Sequence, residues 1–84
     1  MEEKIAVIGA VLDNPRETQN EFNDIVAEYR NLVRGRIGIP LLDKGISAIA
    51  LIVIGSLDEI NSLTGKLGKI DGVNVKTSIS KKEI

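Results

Sequence analysis

Apolar and polar positions recur along this chain with two different periods, and the switches between them mark six elements. Residues 4–12, KIAVIGAVL, are almost wholly apolar and rich in Ile and Val. A run of that length, stopped by Asp13-Asn14-Pro15, predicts a buried strand. Phe22, Ile25, Val26 and Tyr29 then fall at i, i+3, i+4 and i+7, which is one face of a helix. Its other face is Gln, Asn, Asp and Glu. Asn14 is the expected N-cap, with Pro15 at the first helical position and Glu17 closing a capping box. The helix is expected to reach about Asn31.

Period two returns in LVRGRIGIP, residues 32–40. Val33, Gly35, Ile37 and Ile39 are expected on one face, and Arg34, Arg36, Gly38 and Pro40 on the other. The proline and the charges suit an edge strand. Leu41 to Gly45 carries a hairpin signal, with Gly45 free to take positive φ. ISAIALIVIG, residues 46–55, is apolar on both faces and predicts a central strand. Ser56 and Glu59 form a second capping box, and Ile60, Leu63 and Leu67 the inner stripe of a helix that ends with Gly68 at C′. Asp71-Gly72 is a turn. VNVKTSI, residues 73–79, alternates as a second edge strand, and the polar tail SKKEI frays. The order β-α-β-β-α-β over a single domain, residues 1–84, predicts an α+β, ferredoxin-like sandwich. Its antiparallel sheet has the order 4-1-3-2, with two helices on one face.

In such a sandwich the central strands alternate, because one sheet face meets the helices and the other meets water. Here they do not alternate. Ile5, Val7, Gly9 and Val11 share one face of the first strand, and Ala6, Ile8, Ala10 and Leu12 the other. In the third strand Ile46, Ala48, Ala50, Ile52 and Ile54 oppose Ile49, Leu51 and Val53. A second apolar face on so small a domain calls for a cover, and the simplest is another copy of the chain. A homo-oligomer, dimer or tetramer, is expected. Ile5, Val7, Ile49, Leu51 and Val53 are the candidate interface positions, and the pattern leaves open which face is used.

Composition then removes whole classes of chemistry. The 84 residues contain no Cys and no His, so disulfides, thiolate chemistry, haem and the usual zinc, nickel and copper sites have no ligands. No metal site and no cofactor are expected. No nucleophile–base pair is visible either, and the chain reads as a non-enzyme. The net charge of −1 gives no general pull on nucleic acid or anionic membrane. Phe22 and Tyr29 are the only aromatics and both lie on a helix, so the sheet offers no base-stacking platform for RNA. MEEKIAVIG lacks the features of a signal peptide, and no apolar run reaches the roughly 20 residues that span a bilayer. A cytoplasmic location is expected.

SLTGKLG, residues 62–68, resembles the end of a phosphate-binding loop. A Walker loop requires Gly, four intervening residues, then Gly-Lys followed by Ser or Thr. Ile60 and Leu67 occupy those places, and the stretch belongs to a helix. The glycines therefore read as structural. Gly68 would end the helix, and Gly65 would admit a close neighbour.

GRIGIPLLDKGISAIALIV, with LTGKLGKIDGVNVKT later, closely resembles a family of small proteins labelled as regulators of the iron-only hydrogenase system. Arg36, Gly38, Pro40, Lys44, Gly45 and Ser47 stand where that family's strand-hairpin-strand motif places them. The family is similar in fold to ACT domains and to the regulatory domain of the nickel-responsive repressor. That resemblance implies an oligomer that binds small effectors at subunit interfaces. This chain departs from those relatives in having no nickel ligands and no ribbon-helix-helix DNA reader. Arg16 also stands where ACT domains place the glycine of Asp-x-Pro-Gly. The reading is a regulatory, effector-binding oligomer with no direct contact to nucleic acid. Its candidate ligand contacts are Asp13, Asn14 and Arg16 at the strand-helix junction and Arg34 and Arg36 on the second strand. The alternative is an assembly or adaptor protein that binds a protein partner with no effector.

Overall fold

The computed structural model describes residues 2–82 and Ile84, so Met1, and Glu83 of the expected polar tail, lie outside the described residues. Strand β1 (Lys4–Asp13) leads into helix α1 (Pro15–Glu28). Strands β2 (Val33–Leu41) and β3 (Ile46–Gly55) form a hairpin through a 3-10 turn at Leu42–Lys44. Helix α2 (Leu57–Gly68) then precedes β4 (Val73–Ile79). All pairings are antiparallel and the strand order is β2-β3-β1-β4. This is the expected order read from the other edge.

Both helices cover one face of the sheet, and the core lies beneath them. Ala6, Ile8, Ala10 and Leu12 of β1 and Ile49, Leu51 and Val53 of β3 supply its floor, and all are buried. In register, Ile8 stands opposite Leu51 and Ala6 opposite Val53. Phe22 and Val26 enter from α1, and Ile60, Leu63 and Leu67 from α2. Each fully buried Leu, Ile or Phe stabilises by roughly 1.5–3 kcal/mol, so this layer holds most of the fold's hydrophobic stabilisation.

Several local expectations are corrected. The pairing of β2 with β3 shifts between Val33 and Gly35. This bulge turns Val33 toward the helices and leaves Gly35, Ile37 and Ile39 on the opposite face, so the four do not share one side. Helix α1 stops at Glu28, short of Asn31. The chain turns there so that Leu32, 4 % exposed, can enter the core. Asn14 takes a left-handed conformation (φ 47°, ψ 65°), and its side chain makes no cap hydrogen bond. No capping box with Glu17 therefore forms. Gly68 is still helical and Lys69 is the C-cap. Around Gly65, an added Cβ would meet no atom within 4 Å, so it admits no close neighbour.

The second capping box is present. Glu59 N–H donates to Ser56 Oγ at 3.2 Å, and Ser56 N–H donates to Glu59 Oε1 at 3.0 Å. The Ser56 N–H, followed by its hydroxyl, holds the Glu59 carboxyl below its ordinary pKa.

Two outcomes are expected. Gly65→Ala stabilises the protein by about 0.5–1 kcal/mol in chemical denaturation, because a helical position with open space gains propensity and loses nothing. Glu59→Gln lowers Tm at neutral pH. The Glu59 contribution is present above the ordinary carboxylate pKa of about 4.3 and is lost as pH falls through the lowered folded-state value. The Tm gap between the two proteins should therefore close in acid.

Candidate functional site

The sharpest corner of the fold lies where β1 hands the chain to α1. Asp13 N–H donates to Gly72 O at 2.7 Å. The hydroxyl of buried Thr18 donates to Asp13 O at 3.0 Å and approaches Asn14 O at 3.3 Å. Gly72 has φ 84°, and a Cβ there would stand 3.2 Å from Thr18 Cγ2 and 3.5 Å from Asp13 O. Glycine meets both demands, positive φ and close approach. The turn before β4 thus braces the start of α1 and holds Asn14 in its left-handed conformation.

Beside this corner lies an open cleft of about 500 Å³. One wall is the first turn of α1, with Asn14, Arg16 and Gln19. The other is the β2–β3 hairpin, with Pro40, Leu42 and Ser47. The walls are more apolar than polar. Leu42, at the hairpin tip, is 89 % exposed. The N-terminal end of α1 and the Arg16 guanidinium bring positive charge to the cleft; Glu17 brings one carboxylate.

The structure divides the residues expected to bind a ligand. Asn14 and Arg16 line the cleft. Asp13 adjoins it, with its backbone committed to the brace and to β3 at Ile46. Arg36 lies elsewhere. It donates to Asn23 Oδ1 at 2.7 Å, and its guanidinium sits 5.7 Å from the centre of the Phe22 ring. It spans from β2 to α1 and shields the core's one phenyl ring. Arg34 sits at the bulge near the far end of β2 from the hairpin. The hairpin wall went unassigned as ligand contacts in the sequence. The topology carried a signal for it: the end of β1 pairs with the start of β3, which places the hairpin beside the start of α1.

The candidate interface residues also divide. Ile49, Leu51 and Val53 are 7 %, 0 % and 0 % exposed beneath the helices, so they are consumed by the protein's own core. Ile5 and Val7 lie on the opposite, open face. That face carries Ile46, Ala48, Ala50, Ile52 and Ile54 of β3, Val11 of β1, and Ile37 and Ile39 of β2. On β4 it turns polar, with Asn74, Lys76 and Ser78. Among the described residues no three His, Cys, Asp or Glu side chains converge as metal ligands, and no helix is long and apolar enough to cross a membrane.

A four-stranded antiparallel sheet under two helices, with a cleft at the first strand-helix corner, defines an ACT-like, ferredoxin-like domain. Residues 4–77 match the TM1266-like family, described as "Iron-only hydrogenase system regulator, putative", and the chain belongs to that family. The structure of uncharacterized protein TM1266 from Thermotoga maritima is similar at a TM-score of 0.91 and 28 % identity, over 95 % of this chain and 100 % of that one. The ACT domain from GTP pyrophosphokinase of Chlorobium tepidum gives a TM-score of 0.72 at 18 % identity, over 95 % of this chain and 89 % of that one. An unknown protein from Galdieria sulphuraria gives 0.61 at 14 % identity, over 99 % of this chain and 48 % of that one. The last two likenesses concern the fold alone. No curated protein matches the chain.

Thr18→Val keeps the side chain's shape and removes its hydroxyl. It should cost about 1 kcal/mol in denaturant titration with an unchanged m-value, because Asp13 O loses a partly buried donor.

Proposed function

We propose that this protein is a regulatory module that binds a small effector in the corner cleft, works as a homo-oligomer and has no catalytic activity of its own. The observation that carries this reading is the cleft. A braced, left-handed Asn14 and a charged Arg16 face a mostly apolar hairpin wall across about 500 Å³. Small-molecule sites combine apolar walls with a few fixed polar groups in this way. The fitting effector is a small molecule with an apolar body and an anionic or zwitterionic end. The family's description and the ACT-like fold support a regulatory role. In this reading its output passes to a protein partner inside the cell.

Leu42 favours a second reading. A leucine that is 89 % exposed at the tip of a hairpin is open to another protein, and an adaptor with no effector would use it so.

A thermal-shift screen of small anionic and zwitterionic metabolites separates the two. A true effector raises Tm in proportion to the logarithm of its concentration. Arg16→Ala should weaken it by about tenfold or more, the loss of one charge-assisted hydrogen bond. Arg34→Ala, at the far end of β2, should leave it unchanged. If no compound stabilises the protein, or if Arg16→Ala binds as well as the parent, the effector reading fails and the adaptor reading takes its place.

A further inference from the structure

The two edges of the sheet are built differently. On β2 the bulge at Val33/Gly35, Arg34, Arg36 and Pro40 all disfavour a further strand. β4 has no proline and keeps its register against β1 without a shift. Two hydrogen bonds fix which way its backbone points. Asp13 N–H donates to Gly72 O at 2.7 Å, and Ser80 N–H donates to Ile5 O at 2.8 Å. Bonded pairs recur at every second residue of an antiparallel ladder, so Asn74, Lys76 and Ser78 turn their backbone groups toward β1. Val75, Thr77 and Ile79 turn theirs outward. Among the described residues no strand lies beyond β4 to meet them.

The side chains along this edge have two characters. Val75, Thr77 and Ile79 point to the helix side and are half-buried, and Val75 and Ile79 pack against the core. Above them runs a flank of α2, where the Thr64 hydroxyl meets that of Thr77 at 2.7 Å. One helical turn on, Gly68 leaves open space, since an added Cβ would meet no atom within 4 Å. On the other face Lys76 is exposed. It is the one charged side chain of β4 and has no ion pair among the described residues.

We infer that the outer edge of β4 docks an extended segment of a protein partner, antiparallel, with apolar and acidic residues in alternation. This deepens the part of the proposed function in which output passes to a protein partner; it rests on that part and not on the cleft. An added strand binds through main-chain hydrogen bonds and takes its specificity from alternate side chains. The segment's apolar residues, opposite Val75 and Thr77, exchange main-chain bonds with them and lie along the flank of α2 that Gly68 leaves open. An acidic residue opposite Lys76 occupies a non-bonded pair, where side chains stand closest. The same lysine disfavours a second copy of the chain at this edge. Two β4 strands paired over their full length meet at their middle residue, Lys76, and set like charges opposite each other.

The test uses the full chain, no effector, and capped peptides of about eight residues, an ordinary strand length. One alternates valine and glutamate, the second is the same with its valines N-methylated, and the third alternates valine and lysine. In the free protein the Val75 and Thr77 amides should exchange hydrogen fast and the Lys76 amide slowly. The valine–glutamate peptide should bind saturably by fluorescence anisotropy and slow exchange at Val75 and Thr77. N-methylation removes the valine donors and should abolish binding. Lys76→Glu, at an exposed position, should weaken the valine–glutamate peptide roughly tenfold and strengthen the valine–lysine peptide by a similar factor, because each cross-strand pair changes sign. Protection of Val75 and Thr77 in the free protein overturns the inference, since the edge then belongs to a second copy. So does a valine–glutamate peptide that fails to bind, or that binds regardless of N-methylation or of the charge at position 76. Failure at β4 leaves the cleft and the Leu42 tip untouched, and the thermal-shift screen reads the effector, so the two readings fail separately.

Discussion

Ten residues of β1 pair with ten of β3, from Lys4 opposite Gly55 to Asp13 opposite Ile46, and this ladder constrains the rest of the molecule. Because side chains alternate along a strand, its register commits Ala6, Ile8, Leu51 and Val53 to one side together and Ile5, Val7, Ile52 and Ile54 to the other. Helices α1 and α2 can satisfy only the first set. The second set is apolar as well, so one ladder produces both a core and an uncovered apolar face. Slipping it by one residue would exchange the two.

The same ladder positions the cleft. Its last pair, Asp13 with Ile46, sets the end of β1 beside the hairpin and so brings α1's first turn against Pro40, Leu42 and Ser47. Thr18 and Gly72 then fix the corner, one through a hydroxyl hydrogen bond and the other through the absence of a side chain. The cleft is thus tied to the two most buried strands of the sheet, while its hairpin wall remains exposed. A rigid floor beside an exposed tip is an arrangement in which a bound molecule can alter what the tip presents to a partner.

The cleft and the open face occupy different parts of the same sheet. Both are built on β3, whose start borders the cleft and whose middle forms the centre of the face.

The sequence alone was enough for the element order, the strand order and the apolar excess of β1 and β3, because these depend on local period and on few topological choices. It was also enough for the Ser56–Glu59 capping box, a contact between residues three apart. Asn14 and Arg16 were legible as junction residues for the same local reason. The tertiary structure decided what local pattern leaves degenerate. An apolar face reads the same whether helices cover it or not, so only packing could assign Ile49, Leu51 and Val53 to the core and leave Ala50 and Ile52 open. The bulge that turns Val33 away from Ile37 depends on pairing with β3. Arg36 and Arg34 are two residues apart in the chain. Only the fold shows one laid against Phe22, the other at the far end of the strand, and neither at the cleft. Asn14 passed as an ordinary helix cap, because periodicity does not show its left-handed backbone, which sits beside the distant turn at Gly72, bonded to Asp13 N–H, and the Thr18 hydroxyl one helical turn on.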